Sequence, residues 1–150
     1  MRGLGLLILR LALGVVFIAH GLPKLLPVWG SRPADTAALL EASGVSAAYP
    51  VAVGTGLAEV LAGILLIVGA YTVVAAVLLA VTTAATSLMF HLSNGFFLDW
   101  SLEAEVGHGC EFDVLRLSAL VCVMFSGPGT FAYDAWRARE KGSRKKQKKV

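Results

Sequence analysis

The chain predicts an all-α membrane protein, an up-down four-helix transmembrane bundle with both termini on the cytoplasmic side. Three observations carry this expectation. Hydrophobic residues make up 57% of the 150 and charged residues only 15%, against roughly a quarter charged in a soluble domain. The mean hydropathy is +0.74, more apolar surface than one core of this size absorbs, so lipid is the solvent that suits it. Four apolar segments stand apart along the chain, and a basic run follows the last of them.

The first segment covers residues 3–22 and is ended by Pro23 and Pro27. Arg2 before an apolar stretch resembles a signal peptide, but Arg10 interrupts the stretch and no small-residue cleavage site follows, so it reads as a retained span. In the loop after it, "ADTAALLEASG" predicts a short helix lying on the surface, capped by Asp35 and stopped by Gly44. Segments two (51–70) and three (71–90) each supply the ~20 residues that cross the hydrocarbon. Only Gly69, Ala70, Tyr71 and Thr72 join them, which forces an antiparallel hairpin. The fourth segment, from about Glu111 to Gly127, is shorter and polar at its start. Short and moderate links between four spans predict the up-down bundle. Residues 1–136 form this membrane domain, and 137–150 read as a basic, disordered cytoplasmic tail.

Orientation follows from charge. Residues 137–150 hold eight Lys and Arg against Glu140 alone, so the tail contributes +7 while the other residues sum to −4. Lys and Arg beside a span stay cytoplasmic, which places the C-terminus and, after four spans, the N-terminus inside. Residues 91–113 then face outward, and they hold Asp99, Glu103, Glu105, Glu111 and Asp113 with no Lys or Arg. The tail is a topology anchor that also suits anionic lipid; a greasy, nearly neutral body excludes nucleic acid as a partner. Lipid and other membrane subunits are the partners expected. Cys110 and Cys122, if both lie on the last helix, are separated by about 18 Å, beyond disulfide reach.

Ionisable groups inside a span are costly and usually face the bundle interior. Here they are Arg10, Glu59 and Arg116, with His20 and His91 near outer ends. Counting helical rise, Arg10 lies about 10 Å above the inner boundary, Glu59 about 12 Å and Arg116 about 7 Å below the outer one. Gly56, Glu59 and Gly63 share one face of span two; Arg10, Gly14, Phe17 and Gly21 share one of span one. Small residues let helices approach, so these stripes are expected to meet around a polar cluster in the outer half. Arg10 from below, or Arg116 or His20 from above, is expected to reach Glu59. A purely structural Arg10–Glu59 pair is the alternative, as is an Arg116–Asp113 pair three residues apart. Lys24 is expected to snorkel to the headgroups. The acidic outer segment has no ligand spacing, so no metal site is expected. No phosphate-binding loop, nucleotide fingerprint or nucleophile elbow is present.

The order "LRLALGVVFIAHGLPKL", "GLAEVLAGILLIVGAYT", a histidine closing span three, "GCEFDVLRLSALV" and "GPGTFAYDAW" resembles the DoxX family. The resemblance spans residues 6–136 and implies a four-helix protein of the bacterial inner membrane linked to membrane redox systems. It implies a subunit that assists electron transfer rather than an enzyme on its own. On that reading the outer-half cluster holds a quinone headgroup, with Glu59 and His20 as the catalytic groups, Glu59 exchanging protons, His20 or His91 bonding a carbonyl and Arg10 or Arg116 tuning the charge; His20, His91, Arg10 and Arg116 are the binding groups. The alternative is a non-catalytic accessory or scaffold subunit of a larger respiratory or photosynthetic complex, in which a histidine ligates a haem or chlorophyll. A small transporter is a third class, for which four spans give little room.

Overall fold

The computed structural model describes residues 2–98 and 107–147; Asp99, Glu103 and Glu105 lie outside them. The fold is all-α. Helix α1 (Arg2–Gly21) runs into a 3₁₀ turn, Leu22–Lys24, and is followed by short α2 (Pro33–Ala42) and long α3 (Ala48–Val68). Helix α4 (Thr72–Thr86) continues through a π turn, Ser87–His91, and a 3₁₀ turn, Leu92–Asn94. Helices α5 (Glu111–Ser126) and α6 (Tyr133–Gln147) complete it. Among the described residues three helices are long and apolar enough to cross a membrane: Gly3–Lys24, Ala48–Val68 and Thr72–Asn94. With its 16 residues α5 is about 24 Å long; it packs mainly along α4, with a smaller contact on α1.

The most extensive packing is between α1 and α3, and glycine sets it. A Cβ on Gly14 would lie 2.7 Å from the Gly63 carbonyl oxygen, and one on Gly21 would lie 2.7 Å from that of Gly56. The two backbones therefore touch at two levels. In lipid no hydrophobic effect drives helices together, so such close van der Waals contact is what holds them. Around it lies a core of Leu13, Phe17, Ala62, Leu66, Ala75, Ala76, Leu79, Leu120 and Val123. The outward faces are apolar as well: Ile8 and Val15 on α1, Leu57 and Leu61 on α3, and Val74 and Val81 on α4 are all exposed. Among the described residues the buried charged side chains are Arg10, Glu59, Asp113 and Arg116, an arrangement suited to lipid outside.

A second apolar cluster seats α2. Ala37 and Leu40 pack on Ala48 and Ala52, so this largely exposed helix is seated against α3. Asp35 caps it from the third helical position, its carboxylate accepting the Arg32 backbone N–H at 2.7 Å. Gly44, at φ 86°, follows its end.

The opposite end of the bundle is tied by Asp134. Its carboxylate accepts the backbone N–H groups of Tyr71 (3.0 Å) and Thr72 (2.9 Å) and the Thr72 hydroxyl (3.0 Å). The N-terminus of α4 is thus capped from α6. The Asp134 N–H returns a bond to the Gly69 carbonyl at 3.0 Å. Buried Arg10 donates to the carbonyls of Pro128 and Phe131, binding α1 to the same turn. This anchored start explains why the basic tail, expected to be disordered, is helical as far as Gln147. Asp134 suits the first turn, Arg139 donates to the Thr130 carbonyl at 2.8 Å and Arg144 pairs with Glu140 one turn back.

Two outcomes follow. Gly63→Leu forces α1 and α3 apart and lowers stability by about 1–3 kcal/mol, measured by unfolding in detergent. Gly54→Leu, where a Cβ meets nothing within 4 Å, leaves it nearly unchanged. For Asp134, burial opposes ionisation, but the Thr72 and Tyr71 donors and the Arg10 charge outweigh it and hold the carboxyl below its usual range. A native-state value below the unfolded one gives stability that is present above about pH 4 and lost as the pH falls further. The stability gap between wild type and Asp134→Asn is therefore full at neutral pH and closes on acidification; a gap that stays constant to pH 2 contradicts the cap.

Candidate functional site

A cavity of about 760 Å³ opens among α1, α3, α4 and α5, with α2 closing one side. Two ion pairs stand in its walls. On the α1–α3 side the Lys24 ammonium donates to both oxygens of Glu59, each at 2.6 Å. The Glu59 side chain is 6% exposed and that of Lys24 18%. Sequence makes this contact in two steps. The 3₁₀ turn with Pro23 carries the helical path of α1 on to Lys24, and Gly56 leaves room for its stem, since a Cβ there would sit 2.7 Å from Lys24 Cβ.

On the α4–α5 side Asp113 stands between two partners. Its Oδ1 accepts from the Arg116 guanidinium one helical turn on, and its Oδ2 lies 2.5 Å from His91 Nδ1. The π turn at Ser87–His91 delivers that histidine. One extra residue in a helical turn rotates everything after it by about 100°, which turns His91 toward α5. The Arg116 guanidinium also lies over the rings of Phe112 (4.8 Å) and Phe17 (5.7 Å), contacts that favour a cation in an apolar setting. Its Nε is buried with no hydrogen-bond partner among the described residues. His20 stacks on Phe112 with ring centroids 6.1 Å apart, and its Nδ1 lies 2.8 Å from the Val16 carbonyl oxygen.

Charge therefore cancels within each pair. Glu59 is matched by Lys24 and Asp113 by Arg116, which leaves His20, His91 and His108 as the further titratable groups on the lining. The remaining walls are largely aliphatic and aromatic, with threonine hydroxyls turned back on their own helix.

Of the residues expected at a site, Glu59, His20, His91 and Arg116 line this one cavity. Arg10 does not. It lies at the other end of the bundle on the Pro128 and Phe131 carbonyls, so its expected place as a binding group is corrected. The reason is depth: two full turns separate Arg10 from Phe17, which places it beside the segment between α5 and α6, whose Pro128 and Phe131 carbonyls it meets. The partner expected for Glu59 is corrected too, because Lys24 fills that role in place of Arg10, Arg116 or His20. Lys24 is turned inward and not into the headgroups. The Arg116–Asp113 pair is present as expected; the His91 contact to Asp113 was not anticipated. Lys24 did have a signal. It continues the series Arg10, Gly14, Phe17, Gly21 at the same helical spacing. The π turn left none, since nothing in "SLMFH" marks an extra residue. Cys110 is buried and Cys122 exposed, both as free thiols.

Among the described residues no three His, Cys, Asp or Glu side chains gather as metal ligands. No curated protein and no solved structure matches the chain. The DoxX family model matches residues 5–92. That stretch is more than half the chain and carries α1 through the π turn of α4, hence His20, Lys24, Glu59 and His91. With three membrane-crossing helices and this match, the chain belongs to the DoxX family of multi-pass membrane proteins.

Proposed function

We propose that the cavity binds the headgroup of a quinone and that the chain serves as an integral subunit of a membrane redox complex. The observation that carries this reading is the cavity itself. Its volume of about 760 Å³ lies in the range of small-molecule sites, its walls are apolar, and its charges cancel in pairs. An uncharged ring with polar edges suits such a space better than an ion does. When bound, a quinone supplies two-electron, two-proton chemistry. The chain's part is to hold polar atoms at the ring edges and to exchange protons there. His20 and His91 reach the lining from opposite sides, Arg116 tunes the charge beside His91, and Glu59 is the carboxylate on the His20 side. Electrons come from a partner subunit.

In this reading α5 is the fourth span, supported by its packing along α4 and α1. Both termini lie in the cytoplasm of a bacterium whose inner membrane holds the bundle. The eight basic residues after Trp136 support that orientation, and α6 with exposed Tyr133 and Trp136 rests at the headgroups, near anionic lipid.

A second reading has its own support. Lys24 and Glu59 form a closed pair, and a closed pair joining two helices suits a scaffold subunit whose polar groups are architectural. In that version a histidine on the cavity serves a haem or chlorophyll of the larger complex, which the absorption spectrum of the purified protein decides.

Binding of a short-chain benzoquinone to the protein in lipid nanodiscs tests the first reading. Thr86→Trp fills the cavity and weakens binding by about tenfold or more. Leu78→Trp, on the exposed face of α4, leaves it unchanged. Equal binding by both variants removes the cavity as the site. The ion pair separates the two readings. Lys24→Met leaves a buried carboxylate without its partner and costs about 3 kcal/mol, and adding Glu59→Met restores stability to near the wild-type value. If that repaired double variant still binds the quinone with wild-type affinity, the pair is architecture and Glu59 has no part in holding the quinone; if neither it nor the wild type binds quinone, the scaffold reading gains.

A further inference from the structure

We infer that Asp113 fixes His91 as a hydrogen-bond acceptor toward the cavity, so that the site takes the hydroxyl-bearing, quinol form of its ligand in preference to the dicarbonyl form. This rests on the cavity being a quinone site and adds which redox form it selects. Asp113 is a positioning residue, acting through His91.

Three observations lead there. First, Asp113 is 1% exposed and both its oxygens are engaged. A carboxylate bonded to a guanidinium, which stays protonated, has only lone pairs to offer. At 2.5 Å from Oδ2, Nδ1 must be the donor. In the neutral ring the proton is then on Nδ1, and Nε2 carries the free lone pair.

Second, the π turn makes this contact possible, because it rotates His91 off the regular path of α4 and onto α5. π turns of this kind recur at functional sites, and this one ends on the residue that lines the cavity.

Third, three threonines of the lining, Thr55, Thr83 and Thr86, offer acceptors too. The Thr55 hydroxyl donates to the Val51 and Ala52 carbonyls, that of Thr83 to Leu79 at 2.8 Å, and that of Thr86 to Thr82 at 2.9 Å. Each hydroxyl has spent its one hydrogen on its own helix and keeps only lone pairs for a ligand. Lys24 and Arg116 are the charged donors of the lining; each directs hydrogens to a carboxylate, and the buried Arg116 Nε–H has no partner among the described residues, so the preference rests on His91 and these threonines. At His91 and these threonines, a ligand that brings its own O–H donors is met better than one with two carbonyl oxygens.

The test uses the full chain in nanodiscs at about pH 8.5, above the ordinary imidazole range. Nitrogen-15 NMR of labelled histidine reads the His91 tautomer, assigned with His91→Phe. Binding of a short-chain benzoquinone and of its quinol, the latter under argon, reads the preference. The expected result is a His91 ring protonated on Nδ1 and a quinol bound roughly five- to tenfold tighter than the quinone, the worth of one hydrogen bond. His91→Phe brings the two affinities together. Asp113→Asn turns its amide oxygen to Arg116 and its NH₂ to Nδ1, moves the ring proton to Nε2, and reverses the preference. Should Asp113→Asn fail to fold, the wild-type tautomer and the His91→Phe ratio decide. A ring protonated on Nε2 in the wild type, or affinities within about twofold of each other, overturns the inference while leaving the quinone site standing. If neither form binds, both fall together.

Discussion

Direct contact between the backbones of α1 and α3 is the constraint on which the rest of the molecule depends. Gly14 against Gly63 and Gly21 against Gly56 bring two main chains to van der Waals distance. At that distance the side chains beside the glycines have no room to point anywhere but along the seam. Lys24, one turn beyond Gly21, is carried over Gly56 and meets Glu59 there. A larger residue at Gly56 would hold the lysine stem away, leaving a buried carboxylate without its cation, which is far costlier than the pair itself is favourable. Close packing and charge compensation are thus a single arrangement in this helix pair.

The far end of the bundle solves a different problem. A turn of three residues, Gly69 to Tyr71, leaves the first N–H groups of α4 without partners inside the helix. Gly69 at φ 74° and Tyr71 at φ 47° make the turn tight, and Asp134 supplies the missing acceptors from α6. Arg10, buried below, answers the carbonyls of the turn that leads into α6. An arginine inside a span, which composition alone marks as a binding group, is here a fastener between chain segments.

Much of this was legible in the sequence. The glycine stripes on spans one and two follow from spacing, and they meet as expected because small residues on one face let two helix backbones approach. The convergence of Glu59, His20, His91 and Arg116 also follows, since helical rise places all four in one half of the bundle. What was not legible depends on departures from regular helix. Pro23 reads as the end of span one, yet the chain continues its helical path for a further 3₁₀ turn, and so Lys24 was assigned to the headgroups. The π turn before His91 has no residue signature and changes which way that side chain faces. The helix of the basic tail was missed because its charges suggest disorder, while its order comes from Asp134 and Arg139, contacts that only the folded chain supplies.

The two ion pairs of the cavity differ in what they join. Lys24–Glu59 bridges two helices already locked by glycine, so nothing more is needed to hold that wall. Asp113–Arg116 lies within α5 and reaches α4 only through His91. Below it, the α4–α5 seam is held by Leu79, Leu120 and Val123 in the apolar core; toward the cavity, the imidazole is the polar bridge. His91 is therefore the side chain that ties the end of α4 to α5 by a polar contact in this wall. The α1–α3 wall is joined by backbone contact at two levels, and the α4–α5 wall by a side-chain contact that a π turn delivers.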